Sequence, residues 1–444
     1  MNFIVPDEVD FVIDMLQRSG YEAYLVGGAV RDLIMGNTPK DFDITTNAKV
    51  NDIQNIFKDY NQFSNGGFDH GTVSIIINEM TLEITTYRGD DATLLSDLAK
   101  RDFTINSLAY NKMRGLIGIK EGENLIGFDD INYKVIRCVN SPVDRFNEDP
   151  LRILRALRLA VTLDFNIETF TKKMMFYYKD LLHDVAIERI REEFNRIIVS
   201  PNAYKFLHEY REIIAVFIPE IEDMFDFDQK NKYHPHDLYT HTVNVVAGVK
   251  PELEVKLAAF FHDIGKPRSV VYDKDLGASY YHYYNHPKVG AEMTKDILKR
   301  LKMPKIVVDD VYLLVLYHDY DFSLSLKNTK RLLYKLGANS NELFLKLIDL
   351  KRSDYQDHVG IEKFIVDLDK VVENYEKIIK EKECFKIKDL AINGDVIVGF
   401  GYHGEEIGKK LVQILNLVID GKINNTKEDI INYLNSEKEE DKNV

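Results

Sequence analysis

Cysteine is nearly missing from this chain: among 444 residues only Cys138 and Cys384 carry thiols. Two cysteines cannot build a disulfide framework, and their scarcity fits a reducing, cytoplasmic setting. No apolar run reaches the roughly 20 residues that a membrane-spanning helix needs. The opening MNFIVPDEVDFVIDML lacks a basic segment and a small-residue cleavage site, so no secretory signal is expected. Internal repeats and low-complexity stretches are also missing, and only the charged end, about 435–444, reads as disordered. Basic residues are outnumbered 58 to 72, giving a net charge of −14. That balance argues mildly against a nucleic-acid partner, although a local basic stripe would suffice for one. The remainder, 45% hydrophobic and 29% charged, describes a globular chain too long for one core, so about two to four domains are expected.

Hydrophobic spacing divides the chain. Val9, Val12, Ile13 and Leu16 fall at helical intervals within 7–19. Residues 24–26 read as a buried strand, Gly27 and Gly28 as a turn, 29–35 as a helix and 41–44 as a second strand. Stretches 73–77 and 81–87 flank Asn78, Glu79 and Met80 and read as a hairpin. A small mixed α/β domain over the first 138 residues follows. From about Pro142 the pattern is helical to the end, punctuated by Pro235, Pro251, Pro267, Pro287 and Pro304. Residues 405–419 form an amphipathic helix with Leu411, Ile414, Leu415 and Val418 on its apolar face, and Gly394, Gly404 and Gly408 mark turns around its start. Lys409 and Lys410 on it are possible phosphate contacts.

The densest chemistry lies in LVGGAVRDLIMGNTPKDFDITT, residues 25–46. Glycines at 27 and 28 let backbone N–H groups approach a triphosphate, and Arg31 can meet phosphate bidentately. Asp41 and Asp43 stand two apart, so on a strand they share one face with Phe42 and Ile44 buried behind. Two such close charges need a cation, and hard oxygen ligands beside phosphates suit Mg²⁺. One ion would acidify an attacking hydroxyl; a second would stabilise departing pyrophosphate. Glu83, opposite Leu82 and Ile84 in the hairpin, is a candidate third carboxylate. Scattered acids on a surface turn would give the same bare DxD. The upstream glycine turn with Arg31 and Asp32 tips the balance toward nucleotidyl transfer.

Two further constellations follow. Asp149 and Arg152, three apart, would be neighbours on one helix face. A carboxylate accepts from an exocyclic amine and a guanidinium donates to a ring nitrogen or carbonyl, a pattern matching cytosine and adenine. Uracil or guanine would leave unpaired polar groups at about 1–3 kcal/mol each. The competing reading is a plain amphipathic helix with Leu151, Leu154 and Leu157 inside. Downstream, His241, the His262-Asp263 pair in FFHDIGKP, His286, His318 and Asp354 form an ordered ligand series. It suffices for one divalent metal, or two if His286 and His318 join.

These strings together resemble the class II tRNA nucleotidyltransferase and bacterial poly(A) polymerase family, within the polymerase-β-like nucleotidyltransferases. KRDFTIN at 100–106 is similar to the family's ribose-recognition motif, with Lys100 where arginine is usual; the resemblance assigns Arg101, Asp102 and Asn106 to the ribose side. DINYKVIR at 130–137 resembles the segment coupling head to neck. EDPLR at 148–152 with Arg155 and Arg158 resembles the nucleotide-selecting helix, and ERIREE at 188–193 the neck motif after it. HDIGKP resembles the HD phosphohydrolase signature. The implied architecture is an α/β nucleotidyltransferase head at 1–138, a helical neck at 139–228, an HD domain at 229–358 and a helical body and tail at 359–444. The implied reaction adds C, and A, to the 3′ end of tRNA from CTP and ATP, with Mg²⁺ at the head and a divalent metal of unassigned identity at the HD site. Between Arg88 and Arg101 lies only GDDATLLSDLAK, without an Arg-Pro pair. So short a loop resembles that of enzymes adding only the two cytidines, and full CCA addition stands open beside it. Poly(A) synthesis and HD phosphohydrolysis as the main activity are the alternatives.

Overall fold

The computed structural model describes residues 3–63, 71–88, 91–230, 234–272, 281–320, 324–358 and 362–442. By its contacts the chain divides into two compact units, Met1–Phe217 and Ile218–Val444.

The first unit is built on a seven-stranded sheet. Its strands are β1 (Ala23–Val26), β2 (Phe42–Thr46), β3 (Asn61–Phe63), β4 (Thr72–Ile77), β5 (Met80–Thr86), β6 (Leu108–Asn111) and β7 (Gly115–Gly118). They lie in the order β3-β4-β5-β2-β1-β6-β7. All neighbours are antiparallel except β2 and β5, whose parallel register sets Asp43 directly beside Glu83. Helix α1 (Asp7–Arg18) buries Val9, Val12, Ile13 and Leu16, the stripe its spacing predicts. Helix α2 (Gly28–Ile34) follows the glycine turn, where Gly27 adopts φ +73°, a region that non-glycine residues seldom enter. Helices α3 (Val50–Ile56) and α4 (Leu94–Ala99) complete the connections around the central strands. The expected first two strands, the hairpin and the mixed α/β character are all present.

Helix α5 (Ile126–Asn132) packs on the 3₁₀ turn Thr104–Asn106. From there the unit is helical: α6 (Pro142–Glu148), α7 (Arg152–Leu163), α8 (Thr169–Tyr177), α9 (Ile187–Ile198), α10 (Ala203–Glu209) and α11 (Arg211–Ala215). Helix α7 buries Leu154 and Leu157 with Ile153 and Ala160, and leaves its arginines for polar partners. One expectation needs correction here. Asp149 and Arg152 do not share a helix: Asp149 is the extended residue after α6 (φ −149°, ψ 97°), and α7 starts at Arg152. Pro150 explains the break, since the residue before a proline is driven out of helical geometry.

The second unit is α-helical, with one small hairpin pairing Val271–Tyr272 to Tyr281–His282. That pair, and a two-residue parallel pairing of Val135–Ile136 with Asn166–Ile167 in the first unit, interrupt the expected helical run. Its helices are α12 (Leu238–Gly248), α13 (Leu253–Phe261), α14 (His286–Arg300), α15 (Lys305–Tyr317), α16 (Leu326–Lys335), α17 (Ser340–Gln356), α18 (Glu362–Lys380), α19 (Gly394–Gly399), α20 (Glu405–Ile419) and α21 (Lys427–Lys442). None of the described helices is long and apolar enough to cross a membrane.

The C-terminal end differs from its sequence expectation. Residues 435–442 continue α21 instead of being disordered, and 443–444 lie outside the described residues. Ile430 and Leu434 on α21 are buried in a core with Ile414, Leu415 and Val418 of α20. Glu437 accepts hydrogen bonds from Lys410, Gln413 and Tyr433. A charge-rich helix is thus held by one apolar stripe and one neutralised acid. Lys410 is therefore buried and taken, which removes it as a phosphate contact, and Gly408 sits inside α20 instead of at a turn.

The packing of α5 on the 104–106 turn leaves no room at Gly127, where a methyl group would overlap the Thr104 carbonyl. Gly127→Ala should destabilise the first unit by about 1–3 kcal/mol, the usual cost of overpacking. A urea midpoint equal to that of the parent would contradict this packing.

Candidate active site and metal centre

The head cavity has a volume of about 360 Å³. Its phosphate-facing wall contains Gly27 and Gly28 beside Asp43. A Cβ on Gly27 would come within 3.1 Å of Arg101 Nη1 and 3.7 Å of Asp43 Oδ2, so the glycine keeps both groups in reach of a ligand. Asp43 and Glu83 are side by side through the β2–β5 register, and Asp41 immediately precedes β2. The spacing argument thus holds for Phe42 and Ile44, which are buried, and for the Asp43–Glu83 face. Burial raises the Asp43 carboxyl above its ordinary range, partly offset by Arg101 and reinforced by Asp41. Burial, then Asp43 and Asp41, raise Glu83 as well. Acids that disfavour one another's ionisation, offering only oxygen, fit a hard divalent cation.

The opposite wall carries Asp102, Asn106, Asp149, Arg152 and Arg155. Asp102 is the organising group. Its Oδ2 accepts from Arg155 Nε at 3.0 Å and Nη2 at 2.7 Å, and its Oδ1 from the Phe103 amide and Asn106 Nδ2. Burial opposes its charge, yet Arg155, Asn106 and the amide together hold its pKa below the ordinary carboxylate value. Asn106 Oδ1 accepts in turn from Arg31 Nη1 at 2.9 Å. Arg31 and Asp32 form an ion pair and are not on the cavity wall, so they act on the glycine turn from behind. Arg158 is likewise off the wall, bound to Glu193 Oε2 at 2.6 Å.

Arg152 is held by Glu148 Oε2 at 2.9 Å and by the carbonyls of Arg145 and Lys100. Asp149 accepts from Arg189 of α9 at 3.0 Å. The two proposed base readers reach one cavity from different elements. Two basic residues to which the sequence assigned no site role, Arg88 and the Lys100 that opens the ribose motif, also line it. Residues 89 and 90 of the short loop lie outside the described residues.

In the second unit the predicted ligands converge. His241 Nε2 is 3.5 Å from Asp263 Oδ2 and 3.2 Å from Asp354 Oδ1, and His262 Nε2 is 3.1 Å from Asp263 Oδ2. On the other side, Asp263 Oδ1 stands 3.3 Å from His286 Nε2 and 3.5 Å from His318 Nε2. Asp263 therefore bridges two ligand groups. The outward nitrogens settle the tautomers: Nδ1 of His262, His286 and His318 donate to the carbonyls of Ala259, Tyr283 and Val315 at 2.7–2.8 Å. That leaves each Nε2 lone pair turned inward, the state a metal ligand requires. His241 Nδ1 faces Asp357 Oδ2 at 2.7 Å, and Asn244 donates to the same carboxylate. Burial opposes the charge of Asp263, but His262 and Lys266 hold its carboxyl well below the usual range. Asp357, Lys266 and the nearby His234 and His358 were not foreseen as part of this centre. Only the HDIGKP string could have signalled Lys266.

The bridging geometry predicts two cations per HD centre. Dialysis against Mn²⁺, Co²⁺ or Zn²⁺ followed by elemental analysis should give two equivalents in the second unit, one for His318→Ala, and close to none for Asp263→Ala. A parent value of one would exclude the bridge.

Three family models match in succession: the Poly A polymerase head domain at 23–137, the probable RNA and SrmB-binding site of polymerase A at 164–225, and the HD domain at 238–357. A CCA-adding enzyme of Staphylococcus aureus (strain MRSA252) is 27% identical over 446 residues, covering 96% of each chain. In fold, the Bacillus stearothermophilus CCA-adding enzyme in complex with CTP aligns with a TM-score of 0.70 at 22% identity, covering 99% of this chain and 100% of its own. The Thermotoga maritima CCA-adding enzyme complexed with tRNA aligns at 0.61 and 20% identity, covering 98% and 97%. The polymerase-β-like head followed by helices and an HD domain is thereby the architecture of this chain.

Proposed function

Because the chain belongs to the class II tRNA nucleotidyltransferase and bacterial poly(A) polymerase family with an HD domain, we propose that it adds C, C and A to the 3′ end of tRNA from CTP and ATP. The observation that carries this reading is a single cavity. It joins Asp43 and the glycine turn to Asp102 and to the Asp149–Arg152 pair. The groups read as contacting phosphate, ribose and base thus line one cavity.

In this reading the tRNA 3′ hydroxyl attacks the α-phosphate in line. The new O3′–P bond forms as the bond to pyrophosphate breaks. Asp41, Asp43 and Glu83 would hold Mg²⁺, which supplies charge neutralisation at the phosphates when bound. Gly27 and Gly28 receive the triphosphate, and Asn106 and Asp102 face the ribose. Arg101, which the motif resemblance assigns to the ribose side, has Nη1 against Gly27 and in this reading bears on the triphosphate. Asp149 accepts the exocyclic amine of C or A, and Arg152 donates to the adjacent ring acceptor. Arg155 and Arg158 orient these groups through Asp102 and Glu193. The head would span 1–138, the neck 139–228, the HD domain 229–358 and the tail 359–444.

At the HD centre the donors are four imidazoles with Asp263 and Asp354, a nitrogen-rich set that favours a borderline transition ion over Mg²⁺. Phosphoester hydrolysis there is an additional activity in this reading. Two buried, unbridged thiols support a cytoplasmic setting.

The test supplies CTP alone, ATP alone and both to tRNAs ending before C, after CC and after CCA. The expected products are CC with CTP, CCA with both and no long adenosine tail. A stop at CC would assign the short loop the cytidine-only role, and a long tail would assign poly(A) synthesis. Asp41→Ala with Asp43→Ala removes several kcal/mol of charge stabilisation, so incorporation should fall about a thousandfold or more. Retention of the parental rate would sink the proposal.

A further inference from the structure

Between the two strands of the site and its ribose motif lies a carboxylate to which nothing so far gives a role. Asp97 of α4 is fully buried and its side chain makes three contacts, with Arg88, Arg101 and the distant Thr45. Its Oδ1 accepts from the Arg88 backbone N–H at 3.0 Å, where the chain leaves β5. Its Oδ2 accepts from Arg101 Nη2 at 3.1 Å and from Thr45 Oγ1, on the metal-bearing strand β2, at 3.3 Å. The other Arg101 nitrogen, Nη1, is the atom that a Cβ on Gly27 would approach at 3.1 Å. Arg101 is thus aimed into the cavity by one guanidinium edge while Asp97 grips the other.

We propose that Asp97 is the positioning residue for triphosphate binding: it fixes the Arg101 guanidinium against the glycine turn and pins both ends of the short 88–101 connection to β2. This deepens the nucleotidyltransferase reading and rests on it. A buried carboxylate is retained only if its lone pairs are satisfied, and here every partner belongs to the site or its border. Arg101 has many rotamers and loses side-chain entropy on ordering. An anchored guanidinium meets that cost on folding, before nucleotide arrives. Asp97 thereby holds Arg101 where its Nη1 and the Asp43 Oδ2 both stand against Gly27. A free Arg101 would stray from both the triphosphate and Asp43.

The separating variant is Asp97→Asn. The amide oxygen can still accept from the Arg88 N–H, and the Thr45 hydroxyl can turn its proton to the Thr85 carbonyl and accept from the new NH₂. That NH₂ also faces the Arg101 donor, however, so the grip on Arg101 is lost. The KM for CTP should rise about tenfold or more, with kcat within threefold and the melting temperature within a few degrees of the parent. CTP affinity measured calorimetrically without RNA should fall by the same factor. This keeps the inference testable even if the transfer reaction itself is misassigned. In a double-mutant cycle, D97N should add less than twofold to the KM of Arg101→Ala, because the second change removes what the first disturbs. Thr45→Val, which loses only the weakest contact, should leave KM within twofold. Multiplicative effects of D97N and R101A, or unchanged CTP affinity in folded D97N, would overturn the proposal. If D97N does not fold, Asp97→Ser, with space for a water at the Arg88 amide, carries the same comparison. Failure of both to fold would assign Asp97 to the fold and not to nucleotide binding.

Discussion

The buried carboxylate of Asp102 is the constraint on which the head site depends. Through it the glycine-turn helix, the ribose motif and the base-reading helix become one polar relay: Arg31 to Asn106, Asn106 to Asp102, Asp102 to Arg155. Asp102 is buried but the Arg155 side chain is 37% exposed, so losing one partner costs less than the roughly 3–5 kcal/mol of a fully buried pair, although the Asp102 charge is left uncompensated. Each relay member thus has few alternatives, and the relay ties the glycine-turn helix to α7. A second tie reinforces it from below. Asp130 accepts from Thr104 at 2.6 Å and from Arg137 at 3.1 and 3.2 Å, joining the 104–106 turn to the segment that leads into the neck. The sheet supplies the metal-binding face, and these two acids set where the helical wall stands relative to it.

What the sequence made legible was whatever depends on local period. The two-residue spacing of Asp41 and Asp43, the alternation around Glu83 and the helical stripes of α1, α7 and α20 all follow from geometry that neighbours in the chain dictate. Proline was underweighted: Pro150 was read through as helix, although it breaks α6 from α7 and hands Asp149 to a linker. Position-specific partners were not legible at all. Asp97 meets Thr45 across 52 residues, and Asp357 meets His241 across 116; no spacing rule reaches that far. The terminal helix was misjudged for a related reason. Its charges look disordered in isolation, whereas Ile430, Leu434 and the Glu437 contacts exist only once α20 is folded beside it.

The net charge of −14 says little about either centre because both are electrostatically local. The head cavity gathers Arg88, Lys100, Arg101, Arg152 and Arg155 around Asp43, Asp102 and Asp149. An anionic triphosphate is met by guanidinium and a cation by carboxylate within the same small volume. The HD centre solves a different problem. There Asp263 bridges two imidazole groups, and backbone carbonyls fix the tautomers of His262, His286 and His318, so the donor set suits softer ions. The oxygen donors of one unit and the mainly nitrogen donors of the other are sets suited to two different kinds of divalent metal.

The base-reading pair shows how preorganisation can be uneven within one site. Arg152 is held on three sides, by Glu148 and two carbonyls, and reaching a base requires little rearrangement of its guanidinium. Asp149 is instead paired with Arg189, whose side chain is 52% exposed. An ion pair that open to solvent is worth at most about 1 kcal/mol. The amine of cytosine or adenine can displace it without a large penalty. Uracil and guanine, by contrast, offer a carbonyl to the Asp149 carboxylate, so the pair with Arg189 has no reason to open. In the proposed reading, a loosely latched acid beside a rigid guanidinium would discriminate twice, once by the bonds the right base makes and once by the bond the wrong base fails to replace.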